Sequence, residues 1–219
     1  MKTLLSMIII CLPLMADAEL RFISGATTID VLDQGTLDVC PDIDCVAYTG
    51  SINGWLVSTQ GRGSPMIVDL GSGDIPSSAQ IDPLTLEFSI DNLIFNQPEL
   101  VFVPDGFVES SLDTPMISFT FATGVGLFDE QHVIGFSFNT SPFSDPTLVS
   151  VPPGDNSITM RAVIDLGNGA SGRGLFDDYA RGDFDTTSAG TPEPVGIMLL
   201  GSGLLILGVV RWRWSAWMT

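Results

Sequence analysis

The stretch LTLEFSI, residues 84–90, decides the fold class of this chain. Apolar and polar side chains alternate along it one by one, so its four apolar side chains share one face of an extended strand. The three polar side chains between them share the opposite face. This pattern predicts a half-buried β-strand with one face against a hydrophobic core.

The same alternation recurs in residues 117–121 and 134–138. Turn-forming Asn-Gly, Pro-Asp-Gly and Pro-Pro-Gly groups separate these segments from other short apolar runs. No part of residues 19–190 shows a convincing helical period, so we predict an all-β domain, an antiparallel two-sheet sandwich or jelly roll. The further predicted strands are 27–32, 55–59, 66–70, 100–103 and 158–164.

The predicted domain, residues 19–190, is strongly acidic. It holds five arginines, no lysine and all but two of the chain's 26 aspartates and glutamates. Such a surface repels nucleic acid and anionic lipid, and it favours solubility and divalent cations. We therefore expect no nucleic-acid partner.

The N-terminal residues 1–18 have the pattern of a secretory signal peptide. Lys2 supplies a positive charge, residues 4–15 are apolar, and Ala16-Asp17-Ala18 forms an A-x-A cleavage site. We predict export from the cytoplasm and a mature chain that starts at Glu19.

An apolar run without a charge occupies residues 195–210 near the C-terminus. Tryptophans and arginines follow it, as at the boundary between lipid and water. We predict a single transmembrane helix over about 195–212, with Arg211 and Arg213 in the cytoplasm and a tail rich in tryptophan after the helix.

Pro192, Glu193 and Pro194 immediately precede this run, and the two prolines hold the segment extended. The order of motif, apolar helix and basic end over residues 191–219 resembles the PEP-CTERM sorting signal of Gram-negative bacteria. The resemblance implies recognition by the membrane transpeptidase exosortase, a transient inner-membrane anchor, and a cell-surface or extracellular location after processing. It also implies association with a biofilm matrix or exopolysaccharide. It is confined to the tail.

Cys40 and Cys45 are the only cysteines outside the predicted signal peptide. In an exported chain, two cysteines this close favour a local disulfide that pins a surface loop. Free thiols or a redox or metal site are the alternatives.

Two groups of aspartates are candidate calcium ligands, because calcium binds several hard oxygens that converge from a loop. Neither group has the EF-hand spacing, and solvated aspartates in acidic turns are the simpler interpretation. The groups are Asp38, Asp42 and Asp44 beside the cysteines, and Asp177, Asp178, Asp183 and Asp185 before the tail.

The sequence offers little catalytic chemistry. His132 is the only histidine and is expected to be solvated, and there is no nucleophile elbow or His-Glu-x-x-His motif. Gly71-Ser72-Gly73 lacks the lysine and helix of a phosphate-binding loop. We predict that the chain is not an enzyme and needs no cofactor, although a glycosidase that uses two carboxylates stays an alternative.

The leading hypothesis is an exported surface or matrix protein that exosortase sorts and processes. Its non-catalytic sandwich would serve a structural, adhesive or exopolysaccharide-associated role. The two alternatives are a calcium-dependent ligand-binding or adhesion module and a glycan-active enzyme.

Overall fold

The computed structural model of the chain describes residues 18–64, 67–73, 75–77, 82–111, 115–138, 142–167 and 170–186. These residues form sixteen β-strands. In chain order the strands are β1 (Ala18–Ser24), β2 (Thr27–Leu32), β3 (Cys45–Ile52), β4 (Trp55–Ser64), β5 (Ile67–Ser72), β6 (Ile75–Ser77), β7 (Leu84–Ile90), β8 (Leu93–Phe95), β9 (Glu99–Ser110), β10 (Met116–Gly124), β11 (His132–Phe138), β12 (Phe143–Ser144), β13 (Thr147–Ser150), β14 (Ser157–Asp165), β15 (Gly172–Arg181) and β16 (Phe184–Thr186).

The strands form two main antiparallel sheets. Sheet A has six strands in the order β11-β10-β14-β7-β1-β2. Sheet B has eight strands, with the order β12-β9-β15-β5-β4-β3 along its main path, β13 beside β9, and β6 beside β15 and β4. Strands β8 and β16 make a separate two-stranded sheet. The predicted two-sheet all-β architecture is confirmed.

The core lies between the inner faces of sheets A and B. The stretch 84–90 is strand β7, which pairs with β14 on one side and β1 on the other. Its four apolar side chains are fully buried, and burial of each contributes roughly 2–3 kcal/mol. The alternation therefore identified a central strand of the core.

Glycines on the inner face of sheet B let the two sheets approach closely. A Cβ atom at Gly61 would overlap the Phe88 ring, and one at Gly63 would overlap the Ile90 side chain. The large side chains of β7 therefore occupy space that the β4 glycines leave open.

All eight strands predicted from the sequence overlap observed strands, although residue 66, the first of the predicted strand 66–70, lies outside the described residues. The sequence did not predict β1, β3 or β15, which pair with β7, β4 and β9 respectively. Ala18, the last residue of the predicted signal peptide, is buried in β1 and pairs with Ile90.

The predicted signal peptide up to residue 17 lies outside the described residues, as does the predicted sorting signal, residues 191–219. In the part of the chain that the structure describes, no helix has the length and apolar character needed to cross a bilayer.

Candidate ligand-binding face

The outer face of sheet B carries three adjoining recesses that cross the strands. Their volumes are about 370, 330 and 530 Å³. The first two share Gly71 and Ser72, and the second and third share Thr49 and Ser58. We call this combined depression the trough.

One residue from each of five adjacent strands forms the middle of the trough. The strand register aligns them directly across the sheet, as one cross-strand row. The row is Asp105 of β9, Asp177 of β15, Gly71 of β5, Gln60 of β4 and Ala47 of β3. Because the row lies on well-paired strands, the sheet fixes the backbone positions from which its side chains project.

Gly71 opens the floor of the trough. A Cβ atom there would meet only Asp177 Oδ1 at 3.7 Å and the Gln60 carbonyl oxygen at 3.8 Å, which are ordinary van der Waals contacts. A Cβ atom would therefore fit at this position without strain. Gly71 therefore leaves open space in the trough. The packing around this position does not require a glycine.

Three carboxylates stand close together beside this floor. Asp105 is directly opposite Asp177, which places their Cβ atoms about 5 Å apart. Asp69 lies one pair further along β5 on the same face, opposite Tyr179. Burial and the neighbouring Asp177 charge raise the pKa of Asp69 to about 6, although Arg62 across the strand pair opposes the shift.

Two aromatic side chains flank these acids on the outer face. Tyr179 and Phe107 are both half-buried. The Arg181 guanidinium lies 5.6 Å from the Tyr179 ring centroid, and that of Arg173 lies 5.4 Å from the Phe107 centroid. The face thus combines apolar rings with hydrogen-bonding groups, the composition of many ligand-binding surfaces.

The predicted disulfide is confirmed and lies at the β3 end of the trough. Cys40 and Cys45 are joined with an S–S distance of 2.04 Å. The Gln60 side-chain amide lies 2.9 Å from Cys45 Sγ, so the disulfide contacts a residue of the central row. The alternatives of free thiols or a metal site at these cysteines are excluded by the bond.

The carboxylate of Asp38 organises the disulfide loop. It accepts hydrogen bonds from the backbone N–H groups of Gln34, Cys40 and Ala47 at 3.0, 2.9 and 2.9 Å. Its two oxygens are thus occupied by the protein, and the loop holds its shape through this acceptor.

The other two aspartates of this group have separate surroundings. Asp42 is exposed, whereas the Asp44 backbone N–H donates to Asp33 Oδ2 at 2.9 Å. Burial, with the neighbouring Asp33 second, raises the pKa of Asp44.

The second aspartate group is spread over different parts of the fold. Asp177 points out of sheet B and Asp178 points into the core, because neighbouring residues of a strand face opposite ways. Asp183 Oδ1 accepts from Asn96 Nδ2 at 3.2 Å, and Asp185 pairs through its backbone with Ile94.

Within the described ranges, no group of three or more His, Cys, Asp or Glu side chains is arranged to hold a metal ion. The calcium hypothesis stays a prediction.

His132 is held by a buried acid. Its Nδ1 atom lies 3.1 Å from Asp155 Oδ2, and the Thr123 hydroxyl donates to the same oxygen at 2.5 Å. The His132 side chain is 47% exposed. The expected contact with solvent therefore coexists with an Asp155 contact that the sequence did not predict.

A further recess of about 420 Å³ lies elsewhere, between residues 93–98 and 151–155. Its lining consists mainly of turn backbone, prolines and apolar side chains, and Asp155, the acid that holds His132, belongs to it. It lacks the concentration of carboxylates that distinguishes the trough.

The outer face of sheet A differs from the trough because its charges alternate in sign. A second cross-strand row runs Asp30, Arg21, Glu87, Arg161, from β2 to β14. Arg21 Nε donates to Asp30 Oδ1 at 2.7 Å, and Arg161 Nε donates to Glu87 Oε1 at 2.6 Å. We call this row the charge ladder.

Residues 125–131 cover the middle of the charge ladder. The Phe128 ring lies against Arg21, with 3.9 Å between the guanidinium carbon and the ring centroid. Glu130 forms an ion pair with Arg161, and the Phe128 backbone N–H donates to Ser89 Oγ at 3.0 Å. Glu87 beneath this segment is only 4% exposed.

The sequence did not single out Asp105 and Gln60, which line the trough, or Asp69, which lies beside it. The sequence of β15 gives only a weak indication of a strand, because Leu175, Asp177 and Tyr179 occupy alternate positions. Asp178 and the glycines of β15 interrupted the apolar half of that alternation, so the strand was not recognised.

The solved structures with slight similarity to the chain include a tailspike domain and a module solved with a bound galactotriose. The enzymatically active domain of tailspike protein 4 from bacteriophage CBA120 is 12% identical with a TM-score of 0.31, over 61% of this chain and 19% of the tailspike chain. The module TmCBM61, solved in complex with β-1,4-galactotriose, is 9% identical with a TM-score of 0.30, over 60% of this chain and 91% of the module. Neither likeness supports a particular ligand or activity. No protein-family model and no curated protein matches the chain.

Proposed function

We propose that this chain is an exported surface or matrix protein whose sandwich binds a neutral polysaccharide in the trough. The observation that carries the proposal is the central row of sheet B, in which Gly71 leaves an open floor between Asp177 and Gln60. Carboxylate, amide and hydroxyl groups converge there beside two half-buried rings. Such a site can accept and donate hydrogen bonds to a chain rich in hydroxyl groups.

The charge of the trough selects the class of polysaccharide. Asp105 and Asp177 line the trough, and Asp69 lies beside it with Arg62 opposite. A polymer of uronic acids would be repelled, whereas the hydroxyl groups of a neutral sugar can donate to carboxylate oxygens in strong, charge-assisted hydrogen bonds. We therefore infer a neutral ligand.

The sorting hypothesis supplies the location. The predicted signal peptide, residues 1–18, would bring the chain through the inner membrane, and the Pro192-Glu193-Pro194 tail would hold it there until exosortase processes it. The Cys40–Cys45 disulfide fits an oxidising compartment outside the cytoplasm.

Binding is tested with the full-length chain and immobilised extracellular polysaccharide from the bacterium that makes it, separated into neutral and uronic-acid fractions. We expect retention by the neutral fraction and none by the acidic fraction. Retention by the acidic fraction alone, or by neither, would refute the proposed ligand class.

Sorting is tested separately by intact-mass measurement of the protein recovered from exosortase-containing cells. We expect loss of the residues beyond the Pro-Glu-Pro region. Recovery of the intact tail from those cells would refute processing and leave the binding proposal to its own test.

One observation favours a second function, cleavage of a glycan. Asp69, with its pKa raised to about 6, lies next to Asp177 at the side of the trough. A glycosidase uses two carboxyl groups with different pKa values, one as an acid and one as a base or nucleophile. Release of reducing ends from the neutral fraction, lost in Asp69→Asn, would establish this activity. Binding without release would support the non-catalytic role.

A further inference from the structure

Asp178 is a carboxylate enclosed in the core of the sandwich. It is 0% exposed and lies on the inner face of β15, between the inward-facing residues Phe176 and Ala180. Across the neighbouring strands its register partners are Leu70 on β5 and Pro104 on β9. An acid therefore occupies a position that the rest of the strand pattern assigns to an apolar side chain.

Neither carboxylate oxygen of Asp178 has a hydrogen-bond partner in the described part of the chain. Leu70 has no polar side-chain group, and Pro104 has no backbone N–H to donate. The backbone N–H of Asp105 favours the ionised form of Asp178 and so lowers its pKa, but it does not form a hydrogen bond with either carboxylate oxygen. An ionised carboxylate at such a place would cost far more than a neutral one.

The charged groups around Asp178 do not compensate a negative charge. The neighbouring acids are Asp177 on the same strand, Asp105 on β9 and Asp69 on β5, and all three lie on the outer face of sheet B. The described cations on these strands are Arg62 on β4, opposite Asp69, and Arg173 and Arg181 on β15, and all three are exposed on the outer face. The inner face of sheet A contributes apolar side chains from β1, β7, β10 and β14.

We propose that Asp178 is an uncharged carboxylic acid in the folded protein and that it makes the sandwich most stable in acid. Ionisation of this group inside the core would loosen β15 from its neighbours, so the fold itself responds to external pH. β15 also carries Asp177 of the trough. The proposal does not depend on what the trough binds.

The sign of the pH dependence follows from the direction of the pKa shift. Burial, with the Asp177 charge second, raises the pKa of Asp178 well above its ordinary value of 3.8. The folded state then retains a proton that the unfolded state releases, so stability is complete below about pH 4 and falls as the pH rises through the folded-state pKa. Asp69 adds a smaller dependence of the same sign between about pH 4 and pH 6.

The test compares melting temperatures of the full-length chain and Asp178→Asn from pH 4 to pH 8. Ionisation linkage predicts that wild type loses about 3–5 °C per pH unit through Asp178 alone, from about pH 4 up to the folded-state pKa of this group. In Asp178→Asn this component disappears, whatever the absolute stability of the variant. Asp145→Asn, an exposed acid beside β12, is the matched control and should keep the wild-type slope.

Equal slopes in wild type and Asp178→Asn would overturn the proposal. If the variant does not fold, infrared spectroscopy of the wild-type chain at pH 7 decides the question. A carbonyl band from a protonated carboxylic acid, shielded from exchange in heavy water, supports the proposal, and absence of that band contradicts it.

Discussion

The two outer faces of this sandwich carry charge in opposite ways. On sheet A, Glu87 lies between Arg21 and Arg161, and positive and negative side chains alternate across the strands. On sheet B, Asp105 and Asp177 face each other as like charges, and neither forms an ion pair with any described residue. The first arrangement stabilises the fold, whereas the second costs stability.

The two outer faces also differ in whether a segment of the chain lies over them. Residues 125–131 lie over the charge ladder and place Phe128 on Arg21. No described segment of the chain lies over the trough in this way. Gly71, which two of its recesses share, is part of this uncovered surface. The outer face of sheet A is therefore covered by a segment of its own chain, whereas no described segment covers the trough.

The largest expected effect comes from neutralising the centre of the charge ladder. In Glu87→Gln two arginines lose the carboxylate between them in a site that is 4% exposed, so we expect a loss of about 2 kcal/mol in the free energy of unfolding. Urea denaturation of the full-length chain measures this loss.

Glu109→Gln is the control for that prediction. Glu109 pairs with Arg173 at 2.9 Å, but the two side chains are 58% and 45% exposed, so its loss should change stability by less than about 0.5 kcal/mol. Equal effects of the two substitutions would show that the charge ladder is no different from a surface ion pair.

A smaller loss is expected when the covering segment is weakened. Phe128→Ala removes the ring that lies 3.9 Å from the Arg21 guanidinium and should cost about 1 kcal/mol, from lost stacking and burial. Hydrogen exchange should also become faster in residues 125–131. Unchanged stability together with unchanged exchange would contradict the covering role of this segment.

The smallest effect should have the opposite sign. Asp177→Asn removes a like-charge contact with Asp105, so we expect a gain of about 0.5 kcal/mol at pH 7 that shrinks as salt is added. Polysaccharide retention should fall at the same time. Asp42→Asn, an exposed acid away from the row, should change neither property, and a destabilised Asp177→Asn would break the contrast between the faces.

The sequence predicted the strands in which period-two alternation is complete. Residues 84–90 succeed because every second side chain enters the core. Strand β15 was missed because Asp178 occupies an inward position and Gly172 and Gly174 supply no side chain to the pattern. The residue that interrupts the period-two alternation in β15, Asp178, is thus the same residue that places a buried carboxyl group in the core.

The two faces themselves could not be predicted, because they depend on strand register. Arg161 meets Glu87 across 74 residues of sequence, and no local pattern specifies that pairing. The disulfide was predictable because Cys40 and Cys45 are close in sequence, whereas the role of Asp38 as a backbone acceptor required the folded loop.

The most direct test of the account compares two glycines at corresponding places on the two faces. Gly71 lies in the central row of sheet B, and Gly135 lies on the row of the charge ladder in sheet A, opposite Thr120. A Cβ atom would be accommodated at either position. Valine favours strands, so neither substitution should lower the melting temperature of the full-length chain.

The measurement is retention of Gly71→Val and Gly135→Val on the neutral polysaccharide fraction. We expect that Gly71→Val, with valine methyl groups in the trough, abolishes retention, whereas Gly135→Val binds as wild type does. Full retention of Gly71→Val, or loss of retention in Gly135→Val alone, would contradict the claim that the outer face of sheet B is the ligand-binding face.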